Sequence, residues 1–211
     1  MKYLYNPPTI LKKLFNDYYW NTSNNKILLT FDDGPNSGTT EIILKKLSDE
    51  NIKAIFFCVG ENIQKFPELA KQIISEGHSI GNHTLNHKIL STISKGEKKY
   101  QIESFNSIIS EKFNFEPEYF RPPHGKFQIS TSSLLKKHNL KNVMWSLLTY
   151  DYKNDISIVK FAVQRYLLIN SIIVLHDSNK SKNIIVDSIK LIADEVRKKN
   201  YQFGGPDECL I

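Results

Sequence analysis

The chain has 211 residues, which accommodates one well-buried domain and excludes two domains of ordinary size. Hydrophobic residues make up 40% and charged residues 24%, a globular balance that excludes a disordered or low-complexity chain. The net charge of +6 favours an anionic partner such as a nucleic acid or a cell-wall polymer, but most lysines occur in pairs on helix-like segments, which solvated helix faces explain without a ligand.

Residues 1–25 precede the first predicted strand, and we expect them to form an N-terminal extension that packs on the domain. The prolines and lysines of this segment interrupt the continuous apolar core that a secretory leader requires. No later stretch is long and apolar enough for a membrane span. A cytoplasmic location is therefore the default expectation, and an extracytoplasmic one applies if a leader has been removed.

From Lys26 onward, short apolar runs alternate with longer amphipathic segments, which predicts βα units and a parallel sheet. The predicted strands are Ile27–Phe31, Ala54–Val59, Ser79–Asn82, Tyr119–Phe120, Val143–Leu147, Ile172–Leu175 and Tyr201–Phe203. The predicted helices are Thr39–Glu50, Ile63–Glu76, Lys98–Phe113, Ser130–His138, Ile156–Leu168 and Lys182–Lys199.

The predicted domain covers residues 26–205 and leaves residues 206–211 as a C-terminal tail. The predicted domain is shorter than a regular eightfold barrel, which needs about 250 residues, so a barrel with a missing unit is favoured. An open doubly wound sheet is the alternative. In either fold the C-terminal ends of the strands share one rim, where binding sites are built.

The first motif at that rim is Thr30-Phe31-Asp32-Asp33-Gly34-Pro35, in which two carboxylates meet a turn at the end of a strand. A turn there directs both carboxylates into one cavity, where one binds a cation and the other acts as a base. An Asx-type turn without chemistry explains an isolated Asp-Asp-Gly equally simply.

His83 and His87 stand four residues apart after the third strand, a spacing at which a helical turn brings both imidazoles to one face. Thr84 occupies the place of the catalytic Glu of a His-Glu-x-x-His metalloprotease, so a base has to come from elsewhere, and Asp32 is the candidate. The alternative for this stretch alone is a pair of structural histidines.

Three further polar positions follow later strands: Arg121 on a stiff Pro-Pro backbone, Asp151 near aromatic residues, and His176 at the end of an apolar run. His176 is a candidate general acid. Each position also has a plain structural explanation. Five polar clusters at successive strand ends, however, predict one shared site rather than five coincidences.

The order of these motifs resembles the polysaccharide deacetylases of the NodB-like type, carbohydrate esterase family 4, from about Lys26 to Gly205. The family pattern T-F-D-D-G-P, H-[ST]-x-x-H and R-x-P-x-G is matched in full by Thr30–Pro35, His83–His87 and Arg121–Gly125. The resemblance implies an α/β fold, an irregular (β/α)7-type barrel.

The resemblance also implies roles for these residues. Asp33, His83 and His87 would bind a divalent metal, with Zn²⁺ expected and Co²⁺ or Ni²⁺ as alternatives. Asp32 would be the base, His176 the acid, and Arg121 and Asp151 their charged partners. The expected substrate-binding residues are His124, with its backbone N–H aimed at the oxyanion, and Tyr152, Trp145 and Val174.

The chain departs from the family pattern in two motifs. Where the family has D-x-x-D-W, this chain has Leu148-Thr149-Tyr150-Asp151-Tyr152, so the first Asp and the Trp are replaced, and Val174 replaces a Leu in the last motif. These changes bear on the substrate more than on the chemistry, because the implied acid, base and metal ligands are intact.

The function expected from the resemblance is metal-dependent removal of acetyl groups from N-acetylglucosamine-type residues of an oligo- or polysaccharide. The alternatives are a carbohydrate O-acetyl esterase of the acetylxylan type and a catalytically silent carbohydrate-binding relative. Nucleic acid is not an expected partner, because the basic residues form no concentrated patch with interleaved aromatic residues. The sequence does not indicate an oligomeric state.

Overall fold

The computed structural model of the protein describes residues 3–126 and 129–211, without the side chains of residues 129 and 130. Seven parallel strands form one sheet in the order β5-β4-β3-β2-β1-β7-β6. The strands are β1 Leu28–Asp32, β2 Ala54–Cys58, β3 Ser79–Asn82, β4 Tyr119–Phe120, β5 Lys141–Asn142, β6 Leu147–Leu148 and β7 Ile172–His176.

The sheet curls into an irregular barrel, as predicted. Strands β5 and β6 lie at opposite edges of the sheet, yet only residues 143–146 separate them in the chain. Because a residue spans at most about 3.6 Å of extended chain, this connection holds the two edges near each other. The C-terminal ends of the strands, with their polar residues, are therefore arranged around one barrel axis.

The predicted strand Val143–Leu147 is wrong in its extent, since only Leu147 belongs to a strand, and the apolar residues before it form the link between the sheet edges. The main-chain oxygens of Val143 and Met144 accept hydrogen bonds from the Arg121 guanidinium at 2.9 and 2.8 Å. The Arg121 side chain thus occupies backbone carbonyl oxygens that would accept hydrogen bonds from a neighbouring strand if this segment belonged to the sheet.

Helices surround the sheet. They are α1 Thr9–Leu14, α2 Thr40–Asp49, α3 Gly60–Lys65, α4 Pro67–Ser75, α5 Lys95–Phe113, α6 Ile129–Lys137, α7 Ile156–Tyr166, α8 Ile185–Lys198 and α9 Pro206–Cys209. The predicted helix Ile63–Glu76 is divided at Phe66, whose φ of −130° and ψ of 59° are non-helical. Proline disfavours helical dihedrals in the residue before it and suits the first position of a new helix, which explains the break before Pro67.

The predicted strand Tyr201–Phe203 is also wrong, because the segment contributes only an isolated bridge between Phe203 and Ile27. The other predicted strands and helices coincide with observed ones to within a few residues at their ends. The short helices α1 and α9, which have no amphipathic repeat of useful length, were not predicted.

The core lies between the sheet and the helices, where every residue of β1 and β2 is buried. Strands covered on both faces become almost continuously apolar, which is why these two were recognisable from sequence. Phe31 and Phe56 stack at 5.0 Å between ring centroids in this core. The two cysteines, Cys58 and Cys209, are buried free thiols.

The N-terminal segment packs on the barrel through buried aromatic side chains. Tyr18 and Trp20 cluster with Met144 on the connection between the sheet edges. Tyr19 pairs with that connection, donating from its N–H to Asn142 O and accepting from Met144 N–H at 2.9 and 2.8 Å. Residues 1 and 2 of the predicted extension lie outside the described residues. In the described part of the chain, no helix has the length and apolar character needed to cross a membrane.

Candidate active site

A cavity of about 270 Å³ opens at the C-terminal rim of the barrel. It brings together side chains that are widely separated in sequence. Its walls are formed by Asp32, Asp33, His83, His87, His124, Gly125, Trp145, Leu148, Tyr152, Val174, His176 and Lys180. Of the predicted site residues, only Arg121 and Asp151 are absent from the wall, and both are fully buried directly behind it.

Two adjacent carboxylates enter the cavity because the backbone turns at Asp33, whose φ is 77°. Neighbouring side chains of an extended strand point to opposite faces, so β1 alone would separate Asp32 from Asp33. The turn is held by Asn62, whose Nδ2 donates to Asp33 O at 2.7 Å, and by Asp177, whose N–H donates to Asp32 O at 2.8 Å.

Arg121 is fully buried and connects the barrel wall to Asp32. Its Nη1 donates to Asp32 Oδ1 at 2.8 Å and to Thr30 Oγ1 at 2.7 Å. Its guanidinium carbon lies 4.1 Å from the ring centroid of Phe57. The positive charge of Arg121 thus compensates the negative charge of Asp32, which is itself only 6% exposed.

His83 and His87 converge through a loop and not through a helical turn, the other way in which their spacing could bring them together. Residues 84–88 are not helical, and Thr84 and His87 adopt φ values of 71° and 60°. The loop is fixed by the side chain of Asn82, whose Oδ1 accepts from Thr84 N–H at 2.8 Å, and by Thr84 Oγ1, which accepts from His87 N–H at 3.0 Å. The two imidazole centroids lie 5.0 Å apart.

Asp33, His83 and His87 present one ligand atom each within 4.8 Å of one another. Asp33 Oδ1 lies 3.1 Å from His87 Nε2 and 3.8 Å from His83 Nε2. The Nδ1 of His83 lies 2.7 Å from Arg121 O, a carbonyl that only accepts, so Nδ1 carries the proton and Nε2 has a free lone pair. Burial lowers the pKa of His83 to about 4, which favours the neutral form.

This donor set fits a divalent cation. One carboxylate and two neutral imidazoles are the ligands of many catalytic zinc sites, which leave a position open for water or substrate. The hydrogen bond from His83 Nδ1–H to a backbone carbonyl is the contact that usually orients a metal-binding histidine.

His176 stands across the cavity and is paired with Asp151. Its Nδ1–H donates to Asp151 Oδ1 at 2.7 Å, and its backbone N–H donates to Asp151 Oδ2 at 2.7 Å. Burial of the imidazole lowers its pKa, but the charge of Asp151 and the hydrogen bond to it outweigh burial and raise the pKa of His176 to about 9. His176 is therefore an imidazolium at neutral pH, as a general acid requires.

Aromatic and aliphatic side chains form the rest of the wall. Tyr152 meets the His176 ring edge-on at 4.8 Å between centroids. Trp145 closes against Gly125, where a Cβ would lie 2.3 Å from the indole, so glycine is required for this contact. Val174 and Leu148 also line the cavity, whereas the His124 side chain is exposed at the mouth.

Three contributors were missed by the sequence analysis. Asp177 is fully buried and accepts hydrogen bonds from Thr39 and Thr40 at the start of α2. Asn62 holds Asp33, and Lys180 lies at the mouth. Only Asp177 had a usable signal, its position directly after His176. Asn62 and Lys180 stand in segments whose pattern is that of an ordinary helix start and an ordinary loop.

Replacing Gly34 by Ala is expected to destabilise the turn that carries Asp33. A Cβ at residue 34 would lie 2.3 Å from Asp177 Oδ2, and Asp177 is held in place by Thr39, which donates to Oδ1, and Thr40, which donates to Oδ2. Overpacking of this kind costs about 1–3 kcal/mol. The free energy of unfolding in urea measures the effect, with Gly96→Ala as control, since a Cβ there meets its nearest neighbour at 4.0 Å. Equal stabilities of the two variants would contradict the prediction.

Comparison with known proteins places this geometry among deacetylases. The family model described as polysaccharide deacetylase matches residues 20–143. A peptidoglycan-N-acetylglucosamine deacetylase of Bacillus cereus is 34% identical over 90% of this chain and 92% of its own length. A second Bacillus cereus protein with the same description is 40% identical over 61% of this chain. The match covers only 46% of that relative, which is longer than this chain.

A solved structure agrees with the barrel over almost its full length. It is a crystal structure of a peptidoglycan N-acetylglucosamine deacetylase in complex with 4-naphthalen-1-yl-N-oxidanyl-benzamide, and it superposes with a TM-score of 0.88 at 29% identity. The superposition covers 96% of both chains. The barrel predicted from the order of strands and helices is thereby confirmed.

Proposed function

The chain belongs to the polysaccharide deacetylase family, and on that premise we propose that it is a metal-dependent hydrolase that removes acetyl groups from N-acetylglucosamine-type residues of a glycan. One observation carries the proposal. The ligand set Asp33, His83 and His87 lies in the same cavity as a carboxylate, Asp32, and an imidazolium, His176. In metal-assisted hydrolysis of an acetamide, the metal polarises the carbonyl, a base takes the proton of the water and an acid protonates the leaving nitrogen.

Asp33, His83 and His87 would bind the divalent metal, and we propose Zn²⁺, with Co²⁺ and Ni²⁺ as substitutes that accept the same ligands. When bound, a divalent cation supplies Lewis-acid chemistry, because it polarises a carbonyl oxygen and lowers the pKa of water from about 15.7 to about 7.

Asp32 accepts the proton of the attacking water in this proposal. It lies in the cavity beside the metal ligands, and its Oδ1 accepts a hydrogen bond from Arg121. The guanidinium holds one carboxylate oxygen of Asp32 in place and compensates its charge. Arg121 itself does not reach the substrate, because it is fully buried behind Asp32.

His176 donates a proton to the leaving nitrogen, since an amine departs from the tetrahedral intermediate only when it is protonated. Asp151 fixes the Nδ1–H tautomer, so the proton that is transferred comes from Nε2. The backbone N–H of His124 is proposed as a donor to the oxyanion, because His124 belongs to the cavity wall.

Trp145, Tyr152 and Val174 are proposed to receive the acetylated sugar. Val174 and Leu148 give the wall an apolar surface suited to the acetyl methyl group, and the aromatic rings offer faces on which a sugar ring packs. The replaced positions Leu148 and Tyr152 both lie on this wall. The substrate class proposed is an acetylated glycan of the peptidoglycan or chitin type, and the relatives reported above are described as peptidoglycan-N-acetylglucosamine deacetylases.

The test is acetate release from three polymers, peptidoglycan, chitooligosaccharides and acetylxylan, before and after chelation and after readdition of Zn²⁺. We expect release from the N-acetylated substrates that is lost on chelation and restored by metal. Release from acetylxylan alone would assign an O-acetyl esterase instead. Absence of release from all three with metal bound would identify a silent relative.

The pH dependence of the reaction is expected to report His176. The acid is active when protonated, so the rate falls as the pH rises through the pKa of His176, which is about 9. A cation on Asp33 cancels a negative charge that contributes to this raised value, so the alkaline limb lies at or below pH 9.

Asp151→Asn is expected to move this alkaline limb to lower pH by more than about one unit, since it removes the charge that opposes burial of the imidazolium. The profile of kcat against pH at constant metal content measures the shift. Asp155→Asn, at the exposed N-cap of α7 and absent from the cavity wall, is the control. An unchanged limb in Asp151→Asn would show that His176 is not the titrating acid.

A further inference from the structure

The stretch of chain that leads to Asp151 is bound from outside the cavity by the N-terminal segment. It starts at β6, an edge strand of the sheet, whose Leu148 N–H donates to Tyr5 O at 2.8 Å. Leu4 N–H donates to Tyr150 Oη at 2.9 Å, and the same hydroxyl donates to Leu4 O at 3.3 Å. Two consecutive residues of the N-terminal segment therefore hold the two residues that stand three and one positions before Asp151.

Ring contacts hold Tyr150 from the same segment. The ring of Tyr3 lies 4.8 Å from that of Tyr150 between centroids, and the ring of Tyr5 meets it edge-on at 5.3 Å. Tyr5 is only 8% exposed and stacks on Tyr166 of α7 at 5.2 Å. Tyr150 therefore packs on a segment that is itself anchored to the body of the domain.

Tyr150 has a backbone conformation that a bulky side chain rarely adopts. Its φ of 58° and ψ of 27° lie in the left-handed region. Residues persist in that region where their surroundings fix them. Lys153 N–H donates to Tyr150 O at 2.9 Å and closes the turn that contains Asp151. The contacts with Leu4 and the two tyrosine rings fix the other end of the residue, its side chain.

The backbone of Tyr150 determines where the carboxylate of the next residue, Asp151, can lie. That carboxylate is fully buried, and its Oδ1 accepts from His176 Nδ1–H at 2.7 Å and from Thr149 Oγ1–H at 3.1 Å. Catalytic geometry is sensitive to displacements below 1 Å. A shift of the Asp151 backbone therefore changes the hydrogen bond that orients the imidazole of His176.

We propose that Tyr150 is a positioning residue for the acid pair Asp151–His176, and that its hydroxyl fulfils this role by binding the backbone of Leu4. The inference rests on the proposed deacetylase function, in which His176 protonates the leaving nitrogen. Residues 3–5 are absent from the wall of the described cavity, so they act on the reaction through Tyr150 and not by touching the substrate.

Tyr150 also has a neighbour on the cavity wall, since its ring centroid lies 5.7 Å from that of Tyr152. A role in holding Tyr152 against the sugar is therefore the competing explanation. The two are distinguishable by kinetics. A displaced wall weakens substrate binding and raises KM, whereas a displaced acid pair lowers kcat.

The test is steady-state acetate release from chitooligosaccharides and peptidoglycan by the full, zinc-loaded chain. Tyr150→Phe keeps the ring and removes the hydroxyl. We expect kcat to fall by about 3–10-fold, as the loss of a hydrogen bond allows, at unchanged KM and metal content. Leu4→Pro, which lacks the N–H that donates to Tyr150, should lower kcat in the same direction. Leu4→Ala, which keeps this N–H, is the reference for Leu4→Pro.

A double-mutant cycle separates positioning from a structural role. In the Asp151→Asn background, adding Tyr150→Phe should lower kcat no further, because the ion pair that Tyr150 positions is already lost. If Tyr150 only stabilises the fold, its substitution lowers the unfolding temperature equally in both backgrounds and leaves kcat unchanged in both.

Tyr18→Phe is the matched control. Tyr18 belongs to the same N-terminal segment, its hydroxyl lies 2.8 Å from Ser132 Oγ, and it is absent from the cavity wall. We expect this variant to lose stability and to keep the kcat of the wild type.

The inference is wrong if Tyr150→Phe has the kcat of the wild type or of Tyr18→Phe, or if it changes KM alone. It is also wrong if the loss persists in full in the Asp151→Asn background, or if Leu4→Pro and Leu4→Ala have equal kcat. Each of these results leaves the deacetylase function standing. Absence of acetate release by the zinc-loaded wild type would instead contradict the proposed function.

Discussion

Asp32→Asn is expected to lower the rate of acetate release by about 10²–10⁴-fold, the usual size of a general base contribution. Asn has the shape of Asp but cannot accept a proton, so the attacking water loses its base. The change leaves the metal ligands Asp33, His83 and His87 untouched. The amide oxygen can still accept from Arg121 Nη1, which preserves the buried contact that now spans 2.8 Å.

The measurement is kcat under saturating metal, together with metal content and the midpoint of thermal unfolding. If Asp32 is purely structural, its substitution by Asn lowers the unfolding temperature and the metal content along with the rate. If Asp32 is the base, the substitution lowers the rate alone. Asp49→Asn, at the exposed end of α2, controls for loss of charge. Near-wild-type turnover of Asp32→Asn with metal bound would remove Asp32 from the mechanism.

His83→Gln is expected to weaken metal binding by more than about 100-fold, since removing even an orienting partner of a metal ligand costs about 10–100-fold. His83 contributes one of the three ligand atoms and is 1% exposed, so water does not readily replace it. Acetate release should fall with metal content. Equilibrium competition with a chelator measures the affinity without reference to activity.

His78→Gln is the matched control, because His78 is also a buried histidine and stands at the opposite end of β3. Its Nδ1 accepts from Ala54 N–H at 3.2 Å, and its ring packs on Phe56 at 5.5 Å, far from the cavity wall. Both variants lose a buried imidazole, so both are expected to lose stability. Only His83→Gln should lose metal, and equal metal affinities would contradict the assignment of His83 as a ligand.

The fold class was predictable because it depends on a repeated local pattern. Each strand buried on both faces produces an apolar run, and each covering helix produces an amphipathic one, so Leu28–Asp32 and Ala54–Cys58 are recognisable in the sequence. The errors occurred where a distant residue determines the backbone. Val143–Leu147 is apolar enough for a strand, but Arg121 binds its carbonyls and Tyr19 its N–H.

The residues that form the site could be predicted from the sequence, whereas their arrangement could be predicted only in part. Five polar motifs at strand ends indicated convergence, which the common cavity now shows for Asp32, Asp33, His83 and His176. His83 and His87 meet without the helical turn that would also bring them together, because Thr84 and His87 adopt positive φ values stabilised by local hydrogen bonds. The roles of these residues stay predictions until the variants are measured.

The sequence by itself determined the alternation of strands and helices and the presence of carboxylates and imidazoles at the strand ends. Both depend on burial patterns and turn residues, which are local features of the sequence. The tertiary structure alone decided which atoms meet. The curl of the sheet brings Arg121, after β4, against Asp32 at the end of β1, and the pairing of β6 with β7 brings Asp151 against His176. Such contacts join residues up to about a hundred positions apart, and their distances depend on packing of the whole barrel, which no local pattern encodes.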